Sequence, residues 1–141
     1  MGKINLGRLI LAGIVAGIIN DILGYGVDGW LLAQRWTDAM KALGHGAFSS
    51  SGLILFNLLG FAAGFVALWV YVAIRPRFGA GVKTAIYAGI TSWILGALLP
   101  NSTFMYAAGL FPHHLTLLTT LGALVEITVS TIIGAWIYKE A

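Results

Sequence analysis

Residues Leu115–Tyr138 read LTLLTTLGALVEITVSTIIGAWIY, an apolar run interrupted by a single charge, Glu126. A helix that crosses a hydrocarbon core of about 30 Å takes roughly 20 residues, and this run supplies them. Glu126 falls near its middle, the depth at which a charge is most costly. Three other runs have the same character: Leu9–Ala33, Ser51–Ile74 and Val82–Leu99. Leu9–Ala33 repeats the anomaly, with Asp21 near its midpoint. No stretch alternates apolar and polar residues with period two over about ten positions, so helices are expected rather than barrel strands. The expected fold class is therefore an all-α membrane protein, one domain over residues 1–141, with four transmembrane helices in an up-down bundle.

Composition narrows the classes further. With 59% hydrophobic and 9% charged residues, the chain lacks the polar material that covers a soluble domain, where charged residues run near 25%. It has no cysteine, which excludes disulfides, thiolate metal sites and thiol catalysis. The net charge of +3 is not a nucleic-acid signal, because the basic residues sit at the ends of apolar runs and form no patch. No nucleic-acid partner is expected; the bilayer is. Lys3 and Arg8 resemble the start of a signal peptide, but the run behind them is long and carries Asn20 and Asp21, so it reads as the first membrane helix.

The basic residues also set the topology. Lys3, Arg8, Arg75, Arg77, Lys83 and Lys139 fall on one side of the four runs, against Arg35 and Lys41 on the other. By the positive-inside rule both termini are cytoplasmic. Trp69, Tyr71, Tyr87, Trp136 and Tyr138 then form an inner aromatic belt, and Trp30, Trp36 and Tyr106 an outer one. Trp93 fits neither and is expected between helices. Of the connections, Gln34–Ser50 starts as a continuation of the first helix and breaks at Gly44-His45-Gly46. Arg75–Gly81 is a short turn around Pro76, and Pro100 is expected to end the third helix. A faint echo pairs Ala12-Gly13-Ile14 with Ala88-Gly89-Ile90, and Trp69-Val70-Tyr71 with Trp136-Ile137-Tyr138, as two tandem helical hairpins would.

Each run carries a stripe of small or polar residues three or four apart. The stripes are Gly13, Gly17, Asp21, Gly24 and Asp28 with Asn20 alongside; Asn57, Gly60 and Gly64; Gly81, Ala85, Gly89, Ser92 and Gly96; and Thr119, Gly122, Glu126 and Ser130. Lipid is as apolar as leucine, so membrane helices associate through close backbone approach at small residues and through hydrogen bonds. Gly13–Gly17 and Gly60–Gly64 have the spacing of close-packing faces, for bundle packing or for homo-oligomerisation. At a rise of about 1.5 Å per residue, Asn20, Asp21, Ser92 and Glu126 share the midplane, and Asp28 and Asn57 lie above it.

No Lys or Arg lies at these depths. An isolated ionised carboxylate in hydrocarbon is unfavourable, and two brought together would share a proton. Asp21, Glu126, Asn20, Asp28, Asn57 and Ser92 are accordingly candidates for a proton or cation site. Two functions follow. One is a non-catalytic membrane subunit or assembly protein in which these groups fix helix register, in a homo-oligomer or with other membrane subunits. The other is a proton- or cation-coupled transporter or channel. An enzyme is disfavoured and no cofactor is expected. His45, His113 and His114 all fall in outer connections but share no ligand spacing. The triplet Asn101-Ser102-Thr103 matches a glycosylation sequon but hugs a helix end.

The segment Tyr71-Val72-Ala73-Ile74-Arg75-Pro76-Arg77-Phe78-Gly79, with Gly81, Lys83-Thr84-Ala85 and the opening Asn5-Leu6-Gly7-Arg8, resembles a family of small four-helix bacterial inner-membrane proteins of unassigned function. The resemblance implies the topology and a bacterial inner-membrane address, and it brings no activity or site. Small multidrug-resistance transporters are likewise four-helix proteins with a membrane-embedded glutamate. Theirs lies in the first helix, where this chain has Asp21, and no further motif matches.

Overall fold

A computed structural model describes residues 3–140. Five helices follow in order: α1 (Leu6–Leu31), α2 (Ala33–Ala42), α3 (Ser50–Phe78), α4 (Val82–Ala107) and α5 (His113–Ile137). All but α2 are long and apolar enough to cross a membrane, the build of a multi-pass membrane protein. Consecutive spans pack antiparallel, α5 closes back on α1, and α3 also touches α5 across the middle, while α1 and α4 occupy opposite corners.

The helix starts follow from capping. The Asn5 side chain accepts from the Arg8 N–H at 3.0 Å, and Ser49 Oγ accepts from the Gly52 N–H at 3.1 Å. The end of α3 lies further on than its proline predicts. Pro76 sits inside the last turn, where the loss of one hydrogen bond is cheapest at a membrane edge. The helix stops instead at Gly79 and Gly81, whose φ of 86° and 128° are open only to glycine.

Pro100 does not end α4 either. The helix widens into π turns on both sides of it, over Ile94–Leu98 and Asn101–Ala107. A proline ring clashes with the carbonyl four residues back, and the wider turn, with Gly96 at that place, relieves the clash. The outer part of α1 is π-helical too, over Tyr25–Leu31, and closes on a bond from the Leu32 N–H to the Val27 carbonyl at 2.8 Å.

At the end that holds both termini, the packing is tight. Leu9, Ala12, Ala16, Leu68, Tyr71, Val72, Ala85, Ala88, Ala135 and Tyr138 form one buried cluster. Tyr71 and Tyr138 are not belt residues here. Both are buried, their rings meet edge to face at 6.5 Å, and their hydroxyls accept from the Gly81 and Asn5 N–H groups at 3.3 Å. Arg75 lies over the Tyr138 ring and pairs with Glu140 at 3.3 Å, without hydrogen-bond geometry. Trp69, Tyr87 and Trp136 stay exposed, as belt residues do. Trp93 packs between helices and donates to the Thr120 carbonyl at 2.7 Å.

Candidate functional site

Small residues let α1, α3 and α5 meet closely at mid-span. A Cβ on Gly64 would lie 2.6 Å from the Ala16 carbonyl oxygen, and one on Gly17 would lie 2.8 Å from the Phe61 carbonyl oxygen. Gly13 faces the Phe65 ring. The pairs Gly13–Gly17 and Gly60–Gly64 thus face each other within one chain and close the α1–α3 crossing.

Asn20 knots this crossing to α5. Its Nδ2 donates to the Gly60 carbonyl at 2.9 Å, and its Oδ1 accepts from Ser130 Oγ at 3.5 Å. Ser130 shares its one hydroxyl hydrogen with the Ile127 carbonyl, the nearer acceptor at 3.0 Å. Three helices therefore share one satisfied polar group.

The two mid-span carboxylates diverge. Asp21 turns towards α3, where its Oδ1 fills the space a side chain at Gly60 would take. It is half-buried, and no hydrogen bond reaches it among the described residues. Glu126 turns from α5 towards α1. Cβ atoms built on Gly24 and Gly122 would lie 3.3 Å from its Oε2 and Oε1 respectively, so both glycines make room for the carboxyl group. Glu126 is only 7% exposed, and its buried Oε1 has no hydrogen-bond partner.

Asp28, two turns outward of Asp21 on α1, meets the same face of α5 that carries Glu126. Its Oδ1 accepts from Thr119 Oγ1 at 2.6 Å and from the Trp36 indole N–H at 2.9 Å. Thr119, Gly122 and Glu126 succeed one another at helical spacing on α5, so Glu126 lies two turns along the face that Asp28 bonds through Thr119. A polar line thus runs along the α1–α5 seam from Trp36 and Asp28 past Gly122 to Glu126, then to Asn20 and Ser130. Inward of Ser130 it ends at Gly134, where a Cβ would lie 3.0–3.1 Å from Leu68, Ala12 and Ala16.

The remaining candidates lie elsewhere. Asn57 is exposed on α3 and donates back to the Leu53 carbonyl at 2.8 Å. Ser92 sits in the α4–α5 seam one turn from Gly89, which packs on Thr128, and the Ser92 and Thr128 hydroxyls are buried without partners. The sequence reading missed Thr128 and missed Trp36 as a partner of Asp28. A tryptophan eight residues after an acid carries no pairing signal until the helix breaks at Leu32. Asn101 donates to Thr120 Oγ1 at 2.9 Å, an interhelical bond rather than a free sequon. His113 stacks on Tyr106 at 4.1 Å and lines, with His114, an outer cleft of about 300 Å³ between α4 and α5. No group of three metal-ligating side chains occurs among the described residues. The chain matches no protein-family model, no curated protein and no solved structure.

Proposed function

We propose that the protein is a carrier or channel of the bacterial inner membrane that passes protons through its bundle, with Glu126 as the proton-binding group. The observation that carries this reading is the buried Oε1 of Glu126, which has no hydrogen-bond partner. Asn20, which ties three helices together, has both its amide groups engaged, whereas this ionisable group has one oxygen left without a donor. A buried carboxyl with no donor on one oxygen gains by taking up a proton, and no protein hydrogen bond to that oxygen has to break for it to do so.

Asp28 and Thr119 begin the route at the end opposite the termini, and small residues at Gly24 and Gly122 leave space along it. The seal at Ala12, Ala16, Leu68 and Gly134 closes the other end, so passage requires α1 and α5 to shift there. A proton needs only one carboxylate oxygen, whereas a metal cation needs several oxygens around it, which makes the proton the simpler cargo. The excess of Lys and Arg at the terminal end supports a cytoplasmic placement of that end.

Purified protein in liposomes with an enclosed pH dye tests this. An imposed proton gradient is expected to dissipate through the protein, and Glu126→Gln to slow it at least tenfold. Flux equal in wild type and Glu126→Gln would remove Glu126 from the mechanism. A second reading, a non-catalytic membrane subunit, draws on Asn20 as a lock across three helices. It gains if the wild type passes no proton and the liposomes stay tight.

A further inference from the structure

The outer part of α3 touches its own chain at one ring pair, Phe56 on Phe48 at 5.4 Å. Every residue from Leu53 to Leu59 is exposed, which takes in the whole circumference of the helix. Asn57 belongs to the face that packs on α1 further in, one turn from Gly60 and two from Gly64. At Asn57 that face is uncovered, because α1 has turned away. Tyr25 and Trp30 in its π segment are 72% and 73% exposed, and a Cβ on Gly26 would meet open space. Between the two helices lies a groove open to the bilayer, with Asp21 at its base and Asn57 on one wall.

Hydrocarbon offers no partner to either polar group, so the groove is expensive if lipid alone fills it. Asn57 spends one amide hydrogen on the Leu53 carbonyl, which leaves its second hydrogen and its oxygen free. Asp21 is an acceptor with no hydrogen-bond donor. The patch therefore holds both halves of a hydrogen bond. Ion pairing with a second copy is excluded, since no Lys or Arg lies between residues 9 and 34, 42 and 74, or 84 and 138. The Gly13–Gly17 and Gly60–Gly64 faces are not free to mediate association either, being used inside each chain.

We propose that two copies of this chain dimerise side by side through the α1–α3 groove, the Asn57 amide of each donating to Asp21 of the other. A two-fold axis along the membrane normal keeps every residue at its own depth. Asn57 lies three residues outward of Gly60, the neighbour of Asp21, a step of about 4.5 Å that two short side chains span. The proposal is independent of the proton reading at Glu126, which faces the other side of α1.

Because the chain has no cysteine, single cysteines can be placed in the otherwise unaltered protein. Ile54→Cys lies one turn outward of Asn57 on the exposed part of α3, and Val125→Cys lies on the exposed face of α5. In liposomes at low protein-to-lipid ratio, copper-phenanthroline oxidation is expected to convert most Ile54→Cys to a covalent dimer and leave Val125→Cys at background. Adding Asp21→Leu or Asn57→Leu to Ile54→Cys should weaken dimerisation about tenfold, with helicity unchanged by circular dichroism. Glu126→Gln should leave the crosslink intact, which separates this result from the flux test. Ile54→Cys no more reactive than Val125→Cys would mean that lipid covers the face and the dimer does not exist. Crosslinking indifferent to both leucine changes would overturn the Asp21–Asn57 pairing.

Discussion

Oε2 of Glu126 lies 3.3 Å from the position a methyl group on Gly24 would occupy. The first span is thus cut back where the last one inserts its acid, and Gly122 makes the matching space on the acid's own helix.

The two glycines differ in what surrounds them, and substitution should separate them. Gly24→Ala meets only the carboxylate end of a flexible side chain, which can retreat by a few tenths of an ångström. Gly122→Ala places its Cβ 2.6 Å from Val27 Cγ1, on a β-branched side chain with one favoured rotamer. Gly24→Ala should cost under about 1 kcal/mol and Gly122→Ala about 1–3 kcal/mol, measured by unfolding in detergent micelles. The reverse order would mean that the carboxyl group is held more firmly than its missing hydrogen bond implies.

The glycines of the α1–α3 crossing form a graded set. Gly64→Ala drives a methyl against the Ala16 carbonyl oxygen at 2.6 Å and the Asn20 Cβ at 2.9 Å, neither of which can yield unless the helices part. Gly17→Ala meets the Phe61 carbonyl oxygen at 2.8 Å as well as its ring. Gly13→Ala meets only the ring of Phe65, which can rotate. Loss of stability should therefore fall in the order Gly64, Gly17, Gly13, from about 3 to about 1 kcal/mol. Equal losses would show that helix separation sets the cost in all three.

Asn20 should matter more than its neighbour Ser130. Asn20→Leu removes both bonds that join α1 to α3 and α5 and should cost about 1–2 kcal/mol. Ser130→Ala gives up a 3.5 Å contact and a bond to its own helix, and should change stability by less than about 0.5 kcal/mol. Thermal unfolding of both variants, with crosslinking between α1 and α5 as a register probe, distinguishes a lock from a bystander.

The four spans were legible because length and hydrophobicity alone decide whether a helix crosses a bilayer, and Glu126 announced itself by breaking a run. Depth was legible too, since rise per residue is constant. Azimuth was not. Asp21 and Glu126 share a level yet face different neighbours, because the crossing at Gly17 and Gly64 turns Asp21 towards Gly60 while Gly24, three residues on, faces α5. The π turns after Gly24 and Trp93 change the angle per residue, so stripes counted at regular spacing drift beyond them. Asp28 shows the result: in the π segment it faces Thr119 of α5, while Asn57, matched to it in depth, stays exposed on the regular outer end of α3. Tyr71 and Tyr138 went into the core for a similar reason, having free backbone N–H groups of Gly81 and Asn5 within reach.

The clamp on Asp28 yields the last prediction. Trp36 and Thr119 donate to the same oxygen, from the helix after α1 and from the start of α5. Either donor alone still satisfies Oδ1, so Trp36→Phe and Thr119→Val should each cost only about 0.5–1.5 kcal/mol. With both gone, the carboxylate of a half-buried residue loses every protein donor it has among the described residues. The double variant should then lose more than the sum of the singles, by about 0.5–1 kcal/mol in a double-mutant cycle of unfolding free energies. Additivity within about 0.3 kcal/mol would instead mean that water replaces both donors at no cost. In that case Asp28 lies in an open, wet mouth of the α1–α5 seam, and proton entry past it needs no release of the clamp.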